Sequence, residues 1–369
     1  MADSRTSSAR DNDIDELREH ARLRVPFIKG QFGGVEFQSE NFTGLIAQEC
    51  EFQGAVFAET KLKDATFVLS NLAATIFRET KIDKASFIRC DFKAADFTEL
   101  DFKNVQFVDC DLGNANFEAC KIFKSAFVAC NLAGSRFGAA AIKKTAFLKC
   151  DVAGIDLRAA SLDNVGIVDA DLSQARLEGL MAEGIMLMKA ELAGRDLRSL
   201  SLVRSNLAQS NLTGVNLSGV DISGSLFLGA DLSGADLSKA NAPMACFNKA
   251  KLEKTNLREA NVSRSNFSEA SLAGADFSGA MLDRAIFTGA DARGARLERT
   301  SIQYALLNHA KLDGANLTAS RFRQTNFHCA TRDGALTLGA SGSIIDTDQE
   351  RAIAELYDPA RVALNAERA

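Results

Sequence analysis

Large apolar residues recur along the chain at every fifth position. From Phe27 the step lands on Phe32, Phe37, Phe42, Ala47, Phe52, Phe57, Leu62 and Phe67, and it continues without an insertion to Leu317, Phe322 and Phe327. Each centre is Phe, Leu, Ile, Val or Ala, and Phe123 is the one Phe of the chain outside the register. Two residues before a centre the side chain is usually small, as in Ala230-Asp231-Leu232-Ser233-Gly234. A period of five suits neither regular element. On a helix each step turns through about 500°, which spreads the centres over every face. On a continuous strand an odd period sends alternate Phe rings to opposite faces. The pattern is consistent if each five-residue unit is one short straight side followed by a corner, with the centre and the small residue both pointing inward. Cys90, Cys110, Cys130 and Cys150 recur every twenty residues, with Cys50 in phase, which predicts four sides per coil.

This unit resembles the pentapeptide-repeat family over residues 25–329. The resemblance implies an all-β solenoid, a right-handed quadrilateral parallel β-helix, here of about fifteen coils at strand spacing. Open coil edges need covers. Residues 1–24 are read as a tail and capping helix, with Asp13 and Glu16 as a capping box and Ile14, Leu17 and Ala21 as its apolar stripe. Residues 330–369 are read as a loop marked by Gly334, Gly339 and Gly342, then a short capping helix. That helix starts at Thr347 with Glu350, carries Ile353 and Leu356 and stops at Pro359. In relatives such a C-terminal segment can mediate dimerisation. The Phe- and Cys-rich units are also similar to long pentapeptide-repeat accessory proteins of bacterial type VI secretion.

Within the repeat, Arg195 occupies a slot that normally holds Ala, where a charge is costly unless paired. Leu180, Ile185 and Leu200 are large for the same slot, and Ala182 underfills its centre, so a distorted coil is expected between about 178 and 202. Ala47, Ala242 and Ala292 are further underfilled centres.

Composition removes several function classes. The net charge is −5, and residues 25–329 hold 35 acidic against 34 basic side chains, intermixed. A nucleic-acid binder would carry a basic stripe. No run approaches 18 apolar residues, and the first twenty lack an apolar signal core, so the expectation is a cytoplasmic protein with reduced thiols and no membrane contact. A ladder of cysteines lies along a line, whereas zinc needs ligands that converge, so the cysteines read as core and no metal or cofactor is expected. His20, His309 and His328 look scattered, with no triad partner, and the expected class is non-enzymatic, with no small-molecule substrate.

One outward row departs from the polar norm. The residue after each centre should face solvent, and on three sides it is mainly polar, small or charged. On the fourth it reads Val68, Ile88, Val108, Val128, Leu148, Val168, Met188, Ala208 and Leu228, then turns polar at Asn248, Ser268 and Thr288. The other outward position of that side is also soft, with Ala126, Ala146, Gly166, Met186 and Leu226. Exposed apolar patches of several hundred Å² mark interaction sites. The candidate protein-binding residues are therefore Val68, Ile88, Val108, Val128, Leu148, Val168, Met186, Met188 and Leu228. They predict a scaffold that docks a protein partner or a second copy of itself, most simply as a homodimer. The alternative, a DNA mimic that binds topoisomerases as some members of the family do, requires a strongly acidic surface that the balanced charge does not supply.

Overall fold

The computed structural model describes residues 7–355. The chain forms two compact units, Met1–Asn211 and Leu212–Ala369. Both are parallel β-solenoids built from twenty-residue turns, about 16 turns in all, and the described residues contain two helices.

The first unit opens with helix α1 (Ser7–Leu23), whose Leu17 and Ala21 are fully buried against the first turn. Its His20 imidazole bonds the Pro26 carbonyl at 3.0 Å and meets the Phe27 ring edge-on. The apolar stripe is as expected, but the start is not. The helix begins six residues before Asp13, which therefore lies inside it and is not its N-cap. From Pro26–Ile28 through most of the first unit, sides pair with the sides twenty residues later, as Phe107 does with Phe87 and Phe127.

The five expected Phe residues stack in one internal column. Successive rings from Phe67 through Phe87, Phe107, Phe127 to Phe147 lie 5.4, 4.9, 5.0 and 4.7 Å apart and are near-parallel. A second column, Phe77, Phe97, Phe117 and Phe137, stacks at 4.6–4.8 Å. The two columns meet edge to face, with Phe117 at 88° to Phe127. The small inward residues also bond. The Cys90, Cys110, Cys130 and Cys150 thiols each donate to the carbonyl of a Phe one turn back, at 3.3–3.4 Å. The Thr80 and Ser210 hydroxyls donate likewise one turn back, to the carbonyls of Phe57 and Leu187 at 2.8 and 2.6 Å.

Corners are set by backbone handedness. From Lys29 to Gly339 every fifth residue has a φ near +50 to +78°, with two exceptions, Gln174 and Ser199. That conformation costs an L-residue roughly 1–2 kcal/mol and is hardest on a β-branched one. None of these corner positions holds Val, Ile or Thr.

The two exceptions bracket the distorted region, which reaches slightly further back than expected. Arg195 sits in its small-residue slot half-buried, and its guanidinium donates to the carbonyls of Ser173 (3.1 Å) and Ala175, which flank the failed corner at Gln174. The charge is thus met by carbonyls and not by a carboxylate. Its Nε atom is buried without a partner among the described residues. An apolar cavity of about 10 Å³ lies against Ala182, between Leu162 and Leu202.

The second unit repeats the scheme, with Phe227, Phe247, Phe267 and Phe287 stacked at 4.9–5.0 Å. A second cavity of about 10 Å³ lies against the underfilled centre Ala292. Coiling does not stop at residue 329. Lys311 pairs with Thr331, Asn316 with Leu336, and the strand Ser341–Ile345 pairs with Arg321–Asn326. The segment expected as a loop is a further turn, with Gly334 and Gly339 as ordinary corners at φ 69°. It escaped the periodic pattern because its centres are Arg332 and Thr337. At Gly342 a Cβ would sit 1.8 Å from the Phe322 carbonyl, so only glycine allows that pairing. Helix α2 (Gln349–Glu355) follows. Asp348, not Thr347, is its N-cap, accepting from the Arg351 amide at 3.1 Å. It buries no residue, and Ile353 is 71% exposed, so it does not pack on the coil through an apolar face. Leu356 and Pro359 lie outside the described residues.

Two outcomes test this arrangement. Phe107→Ala removes a ring from a stack that cannot collapse, and urea denaturation should read a loss of about 3–5 kcal/mol. Lys144→Val places a β-branched residue at a left-handed corner (φ 49°) and should cost about 1–2 kcal/mol, whereas Lys144→Gly should leave the thermal midpoint nearly unchanged.

Candidate functional site

The apolar row of the first unit is carried by one parallel sheet. Strands Thr66–Val68, Ser86–Ile88, Gln106–Val108, Ala126–Val128, Ala146–Leu148 and Gly166–Val168 pair in strict register, so Val68, Ile88, Val108, Val128, Leu148 and Val168 follow one another directly. Beyond it, Gly166 pairs with Met186. Neighbours along such a row are about 4.8 Å apart. Leu148 and Met186 project furthest, 41% and 43% exposed. Val68, Ile88, Val108, Val128, Val168 and Met188 are half-buried, and Ala208 is buried, contrary to its expected exposure. Leu228 belongs to the second unit, where it is exposed beside Leu226.

A second sheet of the same unit provides an internal control. Its strands include Asp101–Lys103, Lys121–Phe123, Ala141–Lys143 and Ser161–Asp163, paired in the same register. At the position matching the apolar row it carries Asp83, Lys103, Phe123, Lys143, Asp163 and Glu183. Regular strands therefore form in this solenoid with charged residues at that position, and strand propensity does not account for the apolar row.

The histidines are not all scattered. In the second unit His309 and His328 converge with Cys329 on Glu355 of α2. The His309 and His328 Nε2 atoms lie 2.8 and 3.2 Å from the same Glu355 carboxylate oxygen, and Cys329 Sγ is 3.5 Å from His328 Nε2. Hydrogen bonds from Arg351 and the two histidines hold the Glu355 carboxyl below the usual carboxylate range. The twenty-residue period carries part of this signal: His309 and Cys329 occupy the same corner of successive turns, which stacks them.

Two family profiles match the chain. One, described as a pentapeptide repeat region, matches residues 41–117, 80–157 and 100–177; the other, described as pentapeptide repeats (8 copies), matches 190–227, 216–259, 250–289, 260–299 and 300–331. The chain belongs to the pentapeptide-repeat family. No curated protein matches it. Among solved structures, it is similar to HetL, a pentapeptide-repeat protein involved in heterocyst differentiation regulation in the cyanobacterium Nostoc. The identity there is 22%, over 66% of this chain and 88% of that one, with a TM-score of 0.24. A pentapeptide-repeat protein of the Arabidopsis thaliana thylakoid lumen is 31% identical over 30% of this chain and 66% of its own, with a TM-score of 0.20. QnrB1, a plasmid-mediated fluoroquinolone resistance protein, is 19% identical over 61% of this chain and 94% of its own, with a TM-score of 0.18. With TM-scores this low, none of the three bears on what this pentapeptide-repeat protein binds.

All eight cysteines are free, and six are buried. Burial pushes the Cys120 thiol up to about 12, and the hydrogen bond that Cys130 donates to Cys110, together with burial, does the same for Cys130. The thiolate is the reactive form, so these groups are inert near neutrality. No described helix is long and apolar enough to cross a membrane. An aromatic disulfide reagent at pH 8 should titrate no more than Cys246 and Cys329 in the native protein and all eight thiols in denaturant; rapid native reaction of Cys110 or Cys130 would contradict the packing.

Proposed function

We propose that this pentapeptide-repeat protein is a non-enzymatic scaffold that docks through the apolar row of its first unit, in the simplest case onto the same row of a second copy. The observation that carries the reading is the contrast between the two sheets. They share one backbone geometry, yet one presents Val, Ile and Leu where the other presents Asp, Lys and Glu, interrupted once by Phe123. Apolar area left in water forgoes roughly 25 cal/mol per Å² that burial would supply. A row already fixed on a sheet loses little conformational freedom on docking. Two copies carry the same spacing, so a two-fold axis near Val128 and Leu148 would match the rows residue for residue.

The remaining surface does not favour the DNA-mimic alternative. Its charges are paired from turn to turn with opposite signs, as in Lys93 with Asp111 (2.9 Å), Lys143 with Asp163 (3.5 Å) and Lys249 with Glu269 (3.6 Å). Such alternation leaves no continuous acidic field to compete with a phosphate backbone.

Val128→Asp combined with Leu148→Lys puts charge on the row without touching the core. Light scattering should report a dimer for the unaltered protein and a monomer for this variant, with the circular dichroism spectrum and thermal midpoint preserved. Glu118→Asp with Gly138→Lys, on a polar side, should remain dimeric. A row variant that keeps the mass and the partners of the unaltered protein would refute the docking face.

A further inference from the structure

A separate site lies at the end of the second unit, independent of the docking face. His309, His328, Cys329 and Glu355 each offer one ligand atom, and the four atoms lie within 4.8 Å of one another. We infer that these residues bind one divalent transition-metal ion of the zinc class, which clasps helix α2 to the last turns of the solenoid.

The spacing suits the ion. Four ligands arranged tetrahedrally around zinc, at ~2.0–2.1 Å for nitrogen and ~2.3 Å for sulfur, stand roughly 3.3–3.6 Å apart. Here His328 Nε2 is 3.2 Å from Glu355 Oε2 and 3.5 Å from Cys329 Sγ. The donor set is two imidazoles, one thiolate and one carboxylate, a borderline-soft combination that suits zinc or cobalt better than magnesium or calcium. His309 and Cys329 are held by the same left-handed corner of successive turns (φ 59° and 54°), and His328 is 2% exposed, so three of the four ligands sit on a fixed frame. Beside His309, and one turn before His328, Asn308 keeps a buried side-chain oxygen with no partner among the described residues.

The helix that brings the fourth ligand needs such a clasp. It buries nothing, and its segment meets the coil through polar contacts. These are Glu355 with the two histidines, Arg332 donating to Asp346 at 3.0 Å, the Cys329 amide donating to Thr347 Oγ1 at 3.0 Å, and the Asp348 amide donating to His328 Nδ1 at 3.2 Å. The last contact sets a condition. With Nδ1 accepting from Asp348, the His328 proton sits on Nε2 and faces Glu355. A metal at Nε2 requires that proton on Nδ1, so the Asp348 amide must turn away. Metal binding is thereby coupled to a shift of residues 346–348.

The test uses the full chain stripped with a chelator and titrated with Co²⁺ as a spectroscopic probe, then with Zn²⁺. One equivalent of Co²⁺ should produce a thiolate-to-cobalt charge-transfer band that one equivalent of Zn²⁺ abolishes. Cys329→Ser should remove the band. Glu355→Gln, which lies outside the coil and leaves the solenoid spectrum intact, should weaken binding by about 100-fold or more. His309→Asn, which keeps a residue suited to a left-handed corner, should do the same. Absence of the band in the unaltered protein would overturn the site, as would binding that survives Cys329→Ser and Glu355→Gln unchanged.

Discussion

Everything in this protein depends on one backbone requirement, a left-handed corner at every fifth residue. The corner turns the chain after three extended residues and hands each amide and carbonyl to the turn above or below, as Lys144 N–H meets the Asp163 carbonyl and Lys124 N–H the Lys143 carbonyl. Once the corners are set, twenty residues close one turn and identical positions stack. Phe rings then fall on Phe rings, thiols on carbonyls and charges on opposite charges. Stability is distributed along each unit because each turn contacts mainly its neighbours.

The same requirement explains where the fold is weakest. Gln174 and Ser199 are the two corners that do not adopt the left-handed form, and the regular strands of the first unit end at Met181–Glu183 between them. Arg195 bonds the carbonyls on either side of Gln174, replacing ladder contacts with a guanidinium. The cavities against Ala182 and Ala292 follow the same logic: a centre too small for its column leaves space that its neighbours cannot fill.

Much of this was legible in the residues because the period is short and local. Phe27 to Phe327 gave the core, and Cys90 to Cys150 gave four sides. Arg195 announced the distortion. What escaped had different physics. The final turn, with Arg332 and Thr337 at its centres, is held by ladder hydrogen bonds and glycine corners, which leave no apolar trace. Helix α1 starts at Ser7, before the capping pattern at Asp13. The meeting of His309, His328 and Cys329 with Glu355 depends on a chain segment folding back, which no local period records. The apolar row was legible in the sequence against the polar residues of the other sides, and the second sheet adds that regular strands form there with charges at the same position.

If the row from Val68 to Val168 is a contact face and not a by-product of strand formation, two copies should meet there. Cross-linking by a short bis-maleimide reads this in two variants that each carry one accessible cysteine, with Cys246 and Cys329 first replaced by Ser and the six buried cysteines left in place. Leu148→Cys, on the apolar row, should yield a covalent dimer at low micromolar protein. Lys143→Cys, on the charged row of the same turn, should remain monomeric. Equal cross-linking of the two, or none at Leu148→Cys, would contradict the account.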